Sequence, residues 1–165
     1  MKKLVILATF TFLMSINVLA NEADKSSIDT VLNDFHQSAS DANFEHYFAQ
    51  LADGAVFLGT DATERWSKKE FAEFVRPYFS KGIGWTYRPT ERHIDIIANG
   101  TTAYFDELLH SDSYGQCRGS GVLVLTEQGW KIMQYNLSFP IPNSIAKSLT
   151  KQIKTHQQDV KNNDK

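Results

Sequence analysis

The chain has 165 residues, a formal net charge of −2 at pH 7 and a single cysteine. The length suits one domain with an adequate hydrophobic core. The acidic balance argues against a nucleic-acid-binding protein, whose surface is basic. Because Cys117 is the lone cysteine, no internal disulfide can form, and we interpret it as a buried strand residue rather than a nucleophile.

The first 20 residues have the three-part layout of a secretory signal peptide. Lys2 and Lys3 are basic, an uncharged apolar run extends from Leu4 to about Ile16, and Ala20 stands where signal peptidase cleaves. The run is shorter than the roughly 20 residues of a spanning helix. Cleavage after Ala20 removes two lysines and no acid, so the net charge becomes −4. We expect a periplasmic or secreted protein with no membrane contact in its mature form; an uncleaved anchor is the alternative.

Three helices are predicted after a loose polar leader at residues 21–26. Each has apolar residues at positions i, i+3, i+4 and i+7, which places a stripe on one helical face. A domain at residues 27–143 would contain all three. The stripes are Ile28, Val31, Leu32 and Phe35; Phe44, Tyr47, Phe48 and Leu51; and Phe71, Phe74, Val75 and Tyr78.

The expected helix ends follow from capping residues. Asp41 is predicted to cap the second helix and Gly54 to close it. Ser67 and Glu70 have the spacing of a capping box for the third helix, and Pro77 should distort its last turn.

Strand-like runs separated by turns dominate from Trp85 onward. Asn99-Gly100 is the strongest short hairpin signal in the chain, and successive short turns predict an antiparallel meander. Pro89 indicates a bend or a sheet edge, while Gly119 and Gly121 should let the sheet curve. The predicted strands cover residues 55–58, 85–98, 102–109, 114–126 and 130–138.

A short C-terminal helix and a polar tail are predicted for residues 144–165. Asn143 could cap the helix, and beyond about Thr155 the composition indicates fraying or disorder.

Helices followed by a curved antiparallel sheet predict an α+β fold shaped as an open cone. Three segments, residues 56–66 (VFLGTDATERW), 116–123 (QCRGSGVL) and 130–138 (WKIMQYNLS), resemble the SnoaL-like domain group of the nuclear transport factor 2-like superfold. The resemblance spans about residues 28–143. It implies N-terminal helices packed on the concave face of the sheet and a homodimer through the outer face. Relatives include ketosteroid isomerase, scytalone dehydratase, polyketide cyclases and proteins that only bind ligands, so the fold leaves the activity open.

Carboxylates and arginines near the predicted cone are the candidate catalytic groups. Asp61 lies in a segment that joins a strand to a helix, so it should lie at the rim and could act as a general base; a capping turn is the alternative. Asp106 and Glu107 are adjacent on one strand and must face opposite sides. Whichever faces inward needs a partner, and Arg118 on the neighbouring strand is the expected one. Glu107 is the second candidate base.

The candidate ligand-binding residues combine aromatic rings with polar groups on strands. His93 shares a strand face with Asp95, which is the pattern of a proton-transfer pair. On the last strand, Gln134 and Asn136 share a face with Trp130 and Ile132 and are expected to point inward. In relatives a histidine or aspartate often stands there, so these amides imply binding rather than acid–base chemistry. The remaining candidates are Arg65, Trp66, Trp85, Tyr87 and Asp106.

These observations favour an exported protein that binds a small, partly apolar molecule in a conical pocket. A cofactor-free lyase, isomerase or hydrolase with a pocket carboxylate as base is one alternative, and a dimeric scaffold with a filled cone is another. No metal site is expected, because none of the five histidines has ligand spacing. No cofactor is expected either, since ATP and nicotinamides are not supplied outside the cytoplasm.

Overall fold

The computed structural model describes residues 24–98 and 100–163, so the predicted signal peptide lies outside the described residues. No helix among them is long and apolar enough to cross a bilayer. The helices are α1 (residues 24–40), α2 (Phe44–Ala49), α3 (Lys68–Phe79) and α4 (Asn143–Asn163). The strands are β1 (Leu51–Leu58), β2 (Arg65–Ser67), β3 (Arg88–Ile96), β4 (Thr102–Ser111), β5 (Gly115–Thr126) and β6 (Gly129–Ser138).

The strands form one open, curved sheet in the order β2-β1-β6-β5-β4-β3. The meander from β3 to β6 is antiparallel, as the sequence predicts. Pro89 lies on the edge strand β3, where the register shifts between Pro89 and Glu91 and bends the strand. The sheet is extended beyond the meander by β1, which pairs parallel with β6, and by β2, which folds back on β1. The α+β class is therefore confirmed, but the parallel pair and β2 were not predicted.

The hydrophobic core lies between α1–α3 and one face of the sheet. Most residues of the predicted helical stripes face it, and Ile28, Leu32 and Val75 are fully buried, whereas Phe74 and Tyr78 of the third stripe are exposed. Phe57 of β1 stacks on Phe71 of α3 with ring centroids 4.0 Å apart. Burial of each such side chain stabilises the fold by about 1.5–3 kcal/mol. The sheet therefore supports the helices mainly through apolar contact.

Capping chemistry determines where the helices begin. The capping box of α3 is confirmed, because the backbone N–H of Ser67 donates to Glu70 Oε2 at 2.8 Å and Ser67 Oγ accepts from the backbone N–H of Glu70 at 3.4 Å. For α2 the predicted cap was wrong. Asn43 rather than Asp41 caps this helix, with its side chain accepting a backbone hydrogen bond from the first turn.

The second helix is also shorter than predicted. It ends at Ala49, while Leu51 and Gly54, expected as its last apolar residue and its closing glycine, lie in β1. The reason is tertiary: Leu51 pairs with Ile132 of β6, so the chain joins the sheet one residue after the helix cap.

A bulge in β6 alters which of its residues face the core. Val122 of β5 pairs with Gln134, yet the next residue, Leu123, pairs with Ile132. Met133 is therefore an extra residue on β6. One inserted residue inverts the inside–outside alternation of everything that follows it.

The inversion overturns the expected orientation of the last strand. Trp130 faces the core before the bulge, but after it the buried residues are Tyr135 and Leu137. Gln134 is exposed and Asn136 only half-buried on the other face. The prediction that these two amides point into the cone is therefore wrong.

Both ends of the described chain are more helical than predicted. Residues 24–26, expected to be loose leader, are helical in α1, and the indole of Trp130 donates to Asp24 Oδ1 at 3.3 Å. The helix α4 continues past Thr155 to Asn163, although it is exposed along most of its length. Its lysines and glutamines are polar but are good helix formers, so polarity alone was a poor guide to disorder.

Gly121→Ala is expected to lower the free energy of unfolding by about 2 kcal/mol, because the sheet leaves no room for a side chain there. A Cβ at Gly121 would collide with the carbonyl oxygen of Gln134 and lie 2.9 Å from a ring carbon of Phe105. In the control Gly54→Ala, the nearest atom is Met133 Sδ at 3.8 Å, so a change within about 0.5 kcal/mol is expected. Urea titration measures both, and equal losses would contradict the packing argument.

Candidate functional site

A cavity of about 330 Å³ lies between α1–α3 and the concave face of the sheet. Of its 18 lining residues, 12 are Phe, Tyr or Trp, and the lining as described includes no lysine or arginine. Two lining residues, His36 and Glu64, carry an imidazole and a carboxyl group. His36 belongs to the floor, and Glu64 lies in the turn between β1 and β2.

The floor of the cavity is a histidine backed by a buried carboxylate. His36 Nε2 lies 2.7 Å from Glu107 Oε1, and the hydroxyl of Tyr135 donates to the same oxygen at 2.9 Å. Glu107 is 1% exposed and lies behind His36 and Tyr135, both of which line the cavity. Helix α1 and strands β4 and β6 therefore meet at this carboxylate.

Arg92 of β3 supplies the charge that matches Glu107. Its Nε donates to Glu107 Oε2 at 2.8 Å, and its Nη2 lies 2.7 Å from the same oxygen without the alignment of a hydrogen bond. Its Nη1 donates to Asp29 Oδ1 at 2.6 Å and to Asn33 Oδ1 at 2.8 Å. We call Glu107, Arg92, His36 and Asp29 the charged network, which joins α1 to β3 and β4.

The charged network keeps Glu107 ionised. Burial alone would raise the pKa of this carboxyl, but the hydrogen bond and charge of His36 and the guanidinium of Arg92 outweigh burial and hold the pKa below its usual value. Burial first, and then the charge and hydrogen bond of Glu107, raise the pKa of Tyr135 far above its usual value. Tyr135 is therefore always a donor to the carboxylate.

Because Glu107 is ionised, it determines which nitrogen of the neutral His36 ring carries the proton. An ionised carboxylate can only accept, so Nε2 of His36 carries the proton that points at Glu107. In the neutral imidazole, Nδ1 is then an unprotonated acceptor, and no described residue hydrogen bonds to it. The neutral imidazole thus has one unprotonated ring nitrogen, and the carboxylate orients the ring through the other nitrogen.

The floor depends on a glycine in β5. Gly119 is the cross-strand neighbour of both Glu107 and Leu137. A Cβ at Gly119 would collide with the hydroxyl oxygen of Tyr135 and lie 2.7 Å from Glu107 Oε1. We expected this glycine to aid curvature; the structure shows that it clears space for the two polar groups.

Exposed aromatic rings form the mouth of the cavity. Phe74 and Tyr78, predicted as core residues of α3, are 42% and 44% exposed, and Tyr114 is 62% exposed. Trp66 stacks on Phe74 with ring centroids 4.9 Å apart. Tyr114 packs on Phe139 at 5.1 Å across the other side.

Two further aromatic residues reach the wall through a loop between α3 and β3. Trp85 and Tyr87 line the cavity. Residues 85–87 were predicted as part of a strand, but they form no strand in the structure. Gly84 lets this loop approach the end of α1, because a Cβ there would collide with the carbonyl oxygen of Ala39. Burial, and more weakly the charges of neighbours that include Glu64, raise the pKa of Tyr87 to about 12.

Comparison with known proteins identifies the family. The model of the SnoaL-like domain matches residues 28–142. The chain belongs to the SnoaL-like domain family. No curated protein matches the sequence.

Solved structures share the fold of this SnoaL-like domain at low identity. A nuclear transport factor 2-like protein of unknown function from Pseudomonas putida is 15% identical, with a TM-score of 0.62 over 74% of this chain and 90% of that one. A proposed dehydratase of the same fold from Streptomyces avermitilis is 15% identical, with a TM-score of 0.61 over 74% and 99%. A proposed scytalone dehydratase from Novosphingobium aromaticivorans is 12% identical, with a TM-score of 0.61 over 75% and 89%. At these identities the likeness shows the fold alone.

Several residues predicted for the site of the SnoaL-like domain lie elsewhere. Of the two adjacent acids, Glu107 faces inward and Asp106 is exposed on the outer face. Arg118, the expected partner of the inward acid, is exposed, because Glu107 pairs across the strands with Gly119 and Arg118 with Leu108. The expected pairing with Arg118 is therefore wrong, and Arg92 on the opposite neighbouring strand takes its place.

The expected histidine pair is also wrong. His93 lies on the outer face, and its Nε2 is 2.8 Å from Glu91 Oε1 rather than beside Asp95. Asp61 lies in the exposed β1–β2 turn, where its Oδ1 accepts from the backbone N–H of Thr63 at 2.8 Å and from the Thr63 hydroxyl. These hydrogen bonds lower the pKa of Asp61, so it is a turn-forming residue.

The other predicted residues divide between the wall and the surface. Trp66, Trp85 and Tyr87 line the cavity. Arg65 is exposed in β2 and does not line it. Cys117 is buried, and burial raises the pKa of its thiol. In the described ranges, no group of three His, Cys, Asp or Glu side chains could hold a metal.

His36 and Arg92 were missed by sequence reasoning. The signal was present in α1, because Asp29, Asn33 and His36 have helical spacing i, i+4, i+7 and so share one face beside the apolar stripe. A polar stripe next to a core stripe is easily taken for solvent-facing surface. Only the position of α1 over β3 and β4 shows that it meets Glu107 and Arg92.

Arg92→Leu is expected to lower the free energy of unfolding by about 3–5 kcal/mol, because it leaves the buried carboxylate of Glu107 without its cation. The matched control is Arg118→Leu, which removes an exposed arginine from the same sheet and should change stability by about 0.5 kcal/mol or less. Urea titration of the two variants at pH 7 checks this. Similar midpoints for both would show that the charged network does not stabilise the fold.

Proposed function

We propose that this SnoaL-like domain binds a small, partly apolar molecule in its conical cavity. The observation that supports the proposal is the cavity itself: a space of about 330 Å³ with aromatic walls and the imidazole of His36 at the floor. Ligand sites have this size and this combination of apolar walls with few polar anchors. An open cavity of this size argues against a scaffold whose cone is filled by its own side chains.

The setting of this function rests on the sequence. The basic, apolar and small-residue pattern of residues 1–20 supports export to the periplasm or the medium. We propose, too, that the domain forms a homodimer through the outer sheet face, where Tyr104 is exposed beside Asp106 and His93. Neither proposal bears on the cavity, which opens on the opposite side of the sheet.

Thr60→Trp is expected to abolish ligand retention, because Thr60 is an exposed lining residue and an indole there would obstruct the mouth without entering the core. Wild-type protein purified from its native compartment should carry a small molecule detectable by native mass spectrometry. The control Ala62→Trp places the same bulk in the same turn outside the lining and should retain the molecule. A wild-type protein that retains nothing, or an unchanged occupancy in Thr60→Trp, would contradict the proposal.

A second candidate function is cofactor-free proton transfer on the bound molecule. The observation that favours it is the His36–Glu107 contact, which holds Nε2 of a cavity-lining imidazole against a buried carboxylate. The sequence favoured a carboxylate as the base of such a reaction; in this candidate function Glu107 instead orients the imidazole, and His36 exchanges the proton. Solved structures with this fold include a proposed dehydratase and a proposed ketosteroid isomerase, which is consistent with such chemistry.

His36→Gln is expected to reduce conversion of the retained molecule by about 100- to 10,000-fold, because an amide cannot exchange protons at neutral pH. Binding should weaken much less, since the aromatic walls are unchanged. His93→Gln is the control, as it alters an exposed histidine on the outer face. Product formation is followed by mass spectrometry. Equal conversion by wild type and His36→Gln would leave binding as the function.

A further inference from the structure

The charge balance of the cavity wall is uneven. At the floor, the ionised Glu107 is matched by Arg92, so this pair presents little net charge to a ligand. The 12 aromatic side chains are uncharged at neutral pH, and the lining as described contains no lysine or arginine. Glu64 is therefore the one lining residue with a formal charge that no cation offsets.

The side chain of Glu64 is held at the mouth. A Cβ on Gly59 would collide with Glu64 Oε2, so this glycine lets the side chain fold across the end of β1. The backbone N–H of Asp61 donates to Glu64 Oε2 at 3.1 Å. Across residues 24–98 and 100–163, no ion pair involves Glu64. The other carboxylate oxygen, Oε1, has no hydrogen-bond or ionic partner in the described part of the chain.

Aromatic faces surround the same opening. Trp66, Phe74 and Tyr78 stand on one side, and Tyr114 and Tyr87 line the cavity with them. The face of each ring carries the negative end of its quadrupole, so rings around an opening attract a cation. Leaving this many rings exposed to water is unfavourable. A carboxylate among the rings favours a positively charged ligand, as the ring faces do.

We infer that the ligand is an organic monocation, a quaternary or protonated amine with an apolar body. The ammonium head lies at the mouth between Glu64 and the aromatic faces, and the apolar body extends towards His36. This inference rests on the proposed small-molecule function and names its ligand class. The same charge balance disfavours carboxylates, sulfonates and phosphates, since the lining as described includes no lysine or arginine to neutralise them.

Three isosteric phenols test the inference: (4-hydroxyphenyl)trimethylammonium, neutral 4-tert-butylphenol and anionic 4-hydroxybenzenesulfonate. Binding is measured by tryptophan fluorescence, because Trp66 and Trp85 line the cavity, and independently by calorimetry. The cation should bind about tenfold more tightly than the neutral isostere, as cation–π and charge attraction predict. The anion should bind more weakly than either.

Glu64→Gln should reduce the preference for the cation over 4-tert-butylphenol to the part that the aromatic faces supply, while leaving the affinity for the neutral compound unchanged. Asp61→Asn is the matched control, because it removes a carboxylate from the same turn outside the lining and should preserve the preference. Equal binding of cation and neutral isostere by the wild type, or a cation preference that Glu64→Gln leaves undiminished, overturns the inference but supports a small-molecule pocket. Failure of all three compounds to bind overturns the inference as well; the pocket itself is then judged by the retained molecule and Thr60→Trp.

Discussion

The buried carboxylate of Glu107 is the constraint on which the arrangement of the fold and the site depends. An unpaired carboxylate at this depth would cost several kcal/mol. Its partners come from three other elements: Arg92 from β3, His36 from α1 and Tyr135 from β6. The helix must therefore lie at one position over the sheet for the acid to be buried. That same position carries a histidine to the floor of the cavity, so the condition for folding is also the condition for the site.

Local chemistry was readable from the sequence, and long-range register was not. The three helical stripes, the capping box at Ser67 and the antiparallel meander follow from neighbouring residues and were predicted. The choice between Arg92 and Arg118 as partner of Glu107 depends on which residues pair across β3, β4 and β5. Arg92 is opposite Glu107, whereas Arg118 is one residue out of line. A shift of one residue moves a side chain to the other face.

The bulge at Met133 shows the same limit within one strand. Strict alternation from Trp130 places Gln134 inside, and the extra residue places Tyr135 there instead. A signal did exist, because the apolar residues change phase between Ile132 and Tyr135. The prediction assumed that the alternation continues unbroken past Ile132. It therefore expected amides at the position where the structure has the Tyr135 hydroxyl, hydrogen bonded to Glu107. The chemistry inferred for the floor changed with it, from amides that only bind to a histidine held as a base.

The floor and the mouth of the cavity differ in how well the fold tolerates amino-acid substitutions there. At the floor, His36 and Tyr135 share one oxygen of a buried, charge-paired carboxylate, so a change there affects stability and reactivity together. At the mouth, Phe74 and Tyr114 are exposed and contribute less to the core, and Glu64 has no ionic partner within the described ranges. Substitutions at the mouth can alter ligand choice without loosening the fold. In the function proposed here, reactivity is therefore tied to the charged network and ligand specificity to the aromatic opening.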